Sequence, residues 1–168
     1  DLDPAYAFAY TTKGDALLQI GHSEEALDVI DRGIRSNPDN NYLWWNKGLM
    51  LVGLARYQEA LAALDKAIVL DPSYTFAYTT KGDVLRQLGR YEDALAPLDK
   101  AIELNPKSSL AYGTKGAVLQ GLDRSPEALA ALDKAIELDP NYVFAYATKG
   151  DVLRQLGRHE DALAPLDK

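Results

Sequence analysis

The chain has 168 residues, 47% hydrophobic and 26% charged, with a net charge of −7 and a pI near 4.8. That balance fits a folded soluble protein and argues against nucleic-acid binding, which draws on a basic face. The absence of cysteine excludes disulfides, thiolate catalysis and cysteine-ligated zinc, and His22 and His159 alone offer little for a histidine metal site. No apolar run approaches the roughly 18 residues of a membrane span, and no basic-then-apolar leader is visible, so no membrane insertion is expected.

In chain order, Asp1-Leu2-Asp3-Pro4 resembles Leu138-Asp139-Pro140, so residues 1–6 read as the end of a preceding unit. From there prolines recur at Pro38, Pro72, Pro106 and Pro140, each 34 residues after the last. Glycines recur at the same interval, at Gly14, Gly48, Gly82, Gly116 and Gly150. A fixed period of this size marks stacked supersecondary units. The units run at about 7–40, 41–74, 75–108, 109–142 and 143–168, the last one incomplete. Residues 1–168 are therefore expected to form a single repeat array.

The third unit shows what each contains. Phe76, Ala77, Tyr78, Val84, Leu85 and Leu88 form a helical stripe over Thr75–Leu88, and Gly89 ends it. A second helix starts near Glu92 with acidic residues in its first turn. It carries Ala94, Leu95, Leu98, Ala101, Ile102 and Leu104, and Asn105-Pro106 stops it. No segment sustains two-residue alternation, so an all-α chain is expected.

These residues resemble the tetratricopeptide repeat (TPR). Trp44, Gly48, Leu51, Ala60, Leu64 and Pro72 match its pattern in the second unit; Tyr78, Gly82, Leu85, Ala94, Leu98 and Pro106 match it in the third. The resemblance implies a right-handed superhelical solenoid of antiparallel helix pairs. Two features depart from the pattern. The residue before each glycine is lysine (Lys13, Lys47, Lys81, Lys115, Lys149), and aspartate recurs eighteen positions later (Asp31, Asp65, Asp99, Asp133, Asp167). A Lys–Asp ladder between helices is expected. Pro97 and Pro165 fall inside second helices, where each removes an amide donor.

A longer period is superimposed. Residues 75–100 and 143–168 are identical at 23 of 26 positions, and Gly53-Leu54 recurs as Gly121-Leu122. Odd and even units thus alternate with a period of 68.

The resemblance further implies a concave face lined by first helices, on which partners dock. The candidate contacts are Phe8, Thr12 and Asp15 in the first unit, and Tyr42, Trp45, Asn46 and Leu49 in the second. The third offers Phe76, Thr79, Thr80, Asp83 and Arg86, the fourth Leu110 and Thr114, and the fifth Phe144, Thr148, Asp151 and Arg154. Phe8, Tyr42, Phe76, Leu110 and Phe144 form an apolar rail. Asp83–Arg86 and Asp151–Arg154 stand three apart and can pair with each other. Tyr6, Tyr74 and Tyr142 fall before first helices and are expected to staple the preceding loop. Some members of the family bind a chaperone's terminal carboxylate; only Asn46 fits a matching position, so that client class is not expected.

No serine–histidine–aspartate set exists, no cofactor or metal is implied, and no enzymatic activity is expected. The expected function is a scaffold binding a protein or peptide along the concave face. One alternative is end-to-end assembly into a filament, with Tyr10 and Leu17 at one end of the array and Leu163 and Leu166 at the other. Another is a targeting module of a larger enzyme or adaptor. A cytoplasmic location is the default expectation, an extracellular one if filaments form.

Overall fold

A computed structural model describes residues 4–158 and Asp161. Among the described residues there are nine α-helices and no strand. The first hairpin comprises α1 (Pro4–Gln19) and α2 (Ser23–Ser36), the second α3 (Asn41–Gly53) and α4 (Tyr57–Leu70). Then come α5 (Thr75–Gln87) with α6 (Tyr91–Leu104), and α7 (Ser109–Gly121) with α8 (Ser125–Leu138), followed by α9 (Val143–Gln155). The periodicity placed these elements within a residue or two in the third unit. α1 differs: it begins at Pro4 rather than at residue 7. A proline in the first turn of a helix forfeits no hydrogen bond, because that amide has no acceptor there.

The recurring prolines Pro72, Pro106 and Pro140 sit in the turns that follow second helices. In each turn the preceding side chain folds the backbone back on itself. Asp71, Asn105 and Asp139 accept the amides of Ser73, Lys107 and Asn141 at 2.9, 3.1 and 3.0 Å. Pro97 is accommodated: α6 runs unbroken from Tyr91 to Leu104 around it.

The chain divides into two compact units, Asp1–Val84 and Leu85–Lys168. In the first, α3 packs on α1, α2 and α4, around Ile30, Leu43, Met50, Leu51 and Ala60. In the second, α7 packs on α6, α8 and α9, around Leu119, Ala128, Leu132, Ala135 and Val152. The periodic glycines explain how close the helices come. A Cβ on Gly48 would lie 2.8 Å from the Leu64 side chain, and one on Gly116 would lie 2.5 Å from Leu132. Only glycine lets the leucine of the second helix sink into the first.

The Lys–Asp ladder is present, with a different register. Lys47 donates to Asp31 at 2.6 Å, Lys81 to Asp65 at 2.5 Å, Lys115 to Asp99 at 2.6 Å, and Lys149 lies 2.6 Å from Asp133. Each of these lysines thus reaches the aspartate sixteen positions before it, on the second helix of the preceding unit, rather than the one eighteen positions after. The stems pack against the array while both charged ends stay partly in water. Such a pair contributes roughly 0.2–1 kcal/mol.

A second charge pattern repeats at the starts of the second helices. Arg56, Arg90, Arg124 and Arg158 pair with Glu59, Asp93, Glu127 and Asp161, each at 2.7 Å, and His22 pairs with Glu25 at the same distance. The hydrogen bond from Arg56 holds the Glu59 carboxyl below its ordinary pKa, and Arg124 does the same to Glu127. The side chain that closes the interhelical turn therefore also neutralises the acid of the first helical turn.

These turns contain a left-handed residue. On odd units it is glycine, at Gly21, Gly89 and Gly157, with φ of 82°, 71° and 72°. On even units it is Ala55 (φ 56°) or Asp123 (φ 57°), and the glycine has moved two residues earlier, to Gly53 and Gly121. At Gly121 the reason is spatial: a Cβ would lie 2.7 Å from the Tyr91 ring. At Gly53 nothing lies within 4 Å of that position. The residue 68 positions before Tyr91 is Ser23, which is too short to fill the gap. Gly53→Ala should therefore raise stability by up to about 1 kcal/mol, the helix-propensity difference. Gly121→Ala should lower it by about 1 kcal/mol as the Tyr91 ring is displaced. Urea unfolding followed by circular dichroism checks both, and the opposite signs are the informative result.

Candidate functional site

The candidate site is the set of first-helix side chains that the hairpin cores leave uncovered. In the first unit Phe8 and Phe76 are 65% and 57% exposed, and Leu49 is also exposed. Tyr42 and Trp45 are half-buried. Tyr42, Trp45, Tyr74 and Phe76 form one aromatic cluster. The Trp45 ring stands 5.7 Å from Tyr42, 5.7 Å edge-on from Tyr74, and 5.8 Å from Phe76. The Trp45 indole N–H donates to Thr80 Oγ1 at 3.0 Å, and the Thr80 hydroxyl donates in turn to the Phe76 carbonyl at 2.8 Å. Burial pushes the Tyr74 phenol up to about 12, helped by the charges of Tyr42 and Asp71. Such contacts fix aromatic rings with little entropy left to lose on binding.

In the second unit Leu110 and Phe144 are exposed. The Arg86 guanidinium lies over the Phe144 ring, 5.9 Å from its centroid. The two belong to an open cleft of about 270 Å³. Tyr91 at the start of α6 and Ala117, Gln120 and Gly121 on α7 form one side of it, and Thr148 and Gln155 on α9 continue it.

Four of the expected contact residues are buried. Asn46, Thr79, Thr114 and Thr148 are between 3% and 7% exposed. Each bonds to its own helix one turn back. Asn46 donates to the Tyr42 carbonyl at 2.8 Å, Thr79 to Thr75 at 3.1 Å, Thr114 to Leu110 at 2.9 Å and Thr148 to Phe144 at 2.8 Å. A threonine hydroxyl or asparagine amide satisfied this way can be buried, so Asn46, Thr79 and Thr114 face the interior, while Thr148, equally satisfied, still borders the cleft. Thr12, Asp15, Asp151 and Arg154 are exposed, and Asp83 and Arg86 half-buried. Arg154 donates to Asp151 at 2.9 Å, the pairing their spacing allows.

Among the end residues, Tyr10 is half-buried, its ring 2.9 Å from where a Cβ on Gly33 would stand. Leu17 is packed against the first unit's core. Both side chains, expected to lie open, are thus partly covered, Tyr10 by α2. Leu163 and Leu166 lie outside the described residues.

Of the loop tyrosines, Tyr74 and Tyr142 do staple. Tyr74 packs on Trp45 and Phe76, and Tyr142 lies on Phe144 and fills the space above Gly113. Tyr6 does not fall before a helix as expected: it lies within α1, exposed, its ring edge-on to Tyr10 at 5.0 Å. Sequence reasoning did not single out Tyr91 and Gly121 as parts of a cleft. The signal was the shift of the even-unit glycine to Gly53 and Gly121, which opens room for a large side chain.

Hairpins of about 34 residues, with the periodic glycine set against an apolar side chain of the second helix at Gly14, Gly48 and Gly116, define a helical-repeat protein. The family follows from sequence models. Tetratricopeptide repeat models match residues 11–75, 110–142 and 131–164, and a TPR repeat model matches 82–123. Together they span most of the chain, which belongs to the tetratricopeptide repeat family. No curated protein matches it. Among solved structures it is similar to residues 41 to the end of MamA from Desulfovibrio magneticus RS-1, with 26% identity and a TM-score of 0.81 over 96% of this chain and 92% of that one. YrrB, described as a TPR protein with an unusual peptide-binding site, shares 25% identity at a TM-score of 0.70 over 96% and 83%. TTC0263 of Thermus thermophilus, at 21% identity and a TM-score of 0.81 over 95% and 87%, shares the fold.

Tyr74 gives the aromatic cluster a measurable handle. Its neutral phenol is favoured in the folded state, so its contribution to stability is complete below pH 10 and is lost as pH rises through about 12. Tyr74→Phe should flatten the decline in stability between those values, checked by urea midpoints across that range. An unchanged slope would place the alkaline transition elsewhere.

Proposed function

We propose that the chain is a protein-interaction scaffold that docks a peptide non-covalently on its first-helix faces. One observation carries this reading: apolar side chains at the same position of four of the five first helices stay exposed while a neighbour in sequence is buried, and Tyr42, the fifth, is half-buried. Phe8, Phe76, Leu110 and Phe144 remain in solvent although Ala7, Ala77, Ala111 and Ala145, one residue on or before, are buried. Exposed aromatics held by neighbouring rings are the side chains that anchor peptides most economically. The peptide-binding site named for YrrB supports the same reading.

The geometry lends less to end-to-end assembly, because Tyr10 packs on Gly33 of α2 and Leu17 on the first core, each half-buried. Sedimentation velocity at rising concentration separates the two: growth into filaments would favour assembly over peptide docking.

The docking face is tested by selecting peptides from a displayed random library and measuring their affinity for Phe76→Ala, Phe144→Ala and the double variant. Each loss of an anchoring ring should weaken binding about tenfold or more, with helicity unchanged. Equal affinity across the variants would remove these residues from the interface.

A further inference from the structure

Positions 68 residues apart hold the same ring in two different settings. In the second compact unit the Arg86 guanidinium lies over Phe144, 5.9 Å from the ring centroid. The first compact unit keeps the ring, as Phe76, and carries Leu18 at the position of the arginine. Phe76 is 57% exposed against 38% for Phe144. The first unit also holds two rings that the second lacks: Tyr42 and Trp45 correspond to Leu110 and Gly113. One copy thus supplies its own cation to the ring. The other has more rings and an aliphatic side chain in the cation's place.

We propose that the cluster of Tyr42, Trp45, Tyr74 and Phe76 takes an arginine side chain of an extended peptide, stacked on Phe76 as Arg86 is stacked on Phe144. The inference rests on the peptide-docking reading above. The faces of aromatic rings carry the negative end of their quadrupole and attract a cation. Here the rings are fixed by one another: Trp45 and Phe76 are tilted by 45° with centroids 5.8 Å apart, and Tyr74 meets Trp45 at 87°. The Trp45 indole N–H is already given to Thr80, so the cluster meets a guest through its rings and not through that donor. The charges nearby favour a cation. Asp71 closes the turn that leads into Tyr74, and its carboxylate accepts from Asn41, the neighbour of Tyr42, at 3.3 Å. It accepts also from the Ser73 amide at 2.9 Å and hydroxyl at 2.6 Å, and all three donors are neutral. Its charge reaches the cluster, where it helps to raise the Tyr74 phenol. Lys47 on α3 and Lys81 on α5, which would repel such a guest, are turned to Asp31 and Asp65. The chain's net charge of −7 draws a cationic peptide from a distance. Arginine fits better than lysine because its planar guanidinium covers a ring face and gives up less hydration than an ammonium.

The test uses pools of ten-residue peptides, acetylated and amidated so that neither terminus is charged. One position is fixed as leucine, one carries Arg, citrulline, Lys or trimethyllysine, and the rest are randomised among uncharged residues. Citrulline keeps the planar shape of arginine without its charge. The Arg pool should be retained on the immobilised full chain roughly three- to tenfold above the citrulline pool, the gain expected of a cation over aromatic faces, and above the Lys pool. Phe76→Leu keeps apolar bulk at an exposed site, removes the ring, and should abolish the gain. The ratio of Arg to citrulline is read, so that a loss of docking common to all pools cancels. Leu18→Arg copies the second unit and should abolish the gain too, by filling the site from within; circular dichroism confirms that both variants remain helical. Equal retention of Arg and citrulline, an Arg gain that survives Phe76→Leu or a helical Leu18→Arg, or Lys or trimethyllysine retained as strongly as Arg would overturn the inference while leaving peptide docking intact. Retention of no pool would refute the docking reading itself, and the inference with it.

Discussion

Everything in this molecule depends on how closely a first helix can approach its second. The leucines at Leu64 and Leu132 occupy the volume that a side chain on Gly48 or Gly116 would need. In these two hairpins that contact packs the inner face closely, and the outer face of the first helix carries side chains that the core does not need. Threonines can turn their hydroxyls onto their own backbone, and large rings can remain in solvent at little cost to the fold. The exposed rail of first-helix side chains is a by-product of efficient packing one layer below it.

The helices were legible because hydrophobic period, proline stops and glycine positions agree in every unit. The register of the ladder was not. Lysine and aspartate recur with one period, and a repeat offers each lysine two aspartates at nearly equal separation in sequence. Only the stacking direction selects the one at sixteen residues, as Lys47–Asp31 and Lys115–Asp99 show. Thr79, Thr114 and Thr148 are more buried than their residue type suggests, for a related reason. A threonine on a helix reads as polar in sequence, yet the carbonyl one turn back satisfies its hydroxyl and allows burial. Tyr91 escaped notice because its role depends on a glycine thirty positions away that makes room for its ring.

The 68-residue period is what gives an otherwise uniform array its chemical contrast. At corresponding sites, Trp45 meets Tyr74 edge-on while Gly113 lets Tyr142 settle directly over the backbone. Bulk is moved from one helix to the next turn with the packing preserved. Variation of this kind leaves the hairpins unchanged and alters only what they present.

The ladder has a consequence for cooperativity. Each rung joins a first helix to the hairpin before it, so its energy enters the coupling between neighbours and not the intrinsic stability of either. Dissolved ions weaken those rungs while leaving the leucine–glycine contacts untouched. Ionic strength should therefore trim the coupling between neighbouring hairpins by a fraction of its size, leaving the apolar contacts that also join them, such as Met50 on Ile30, to carry the rest.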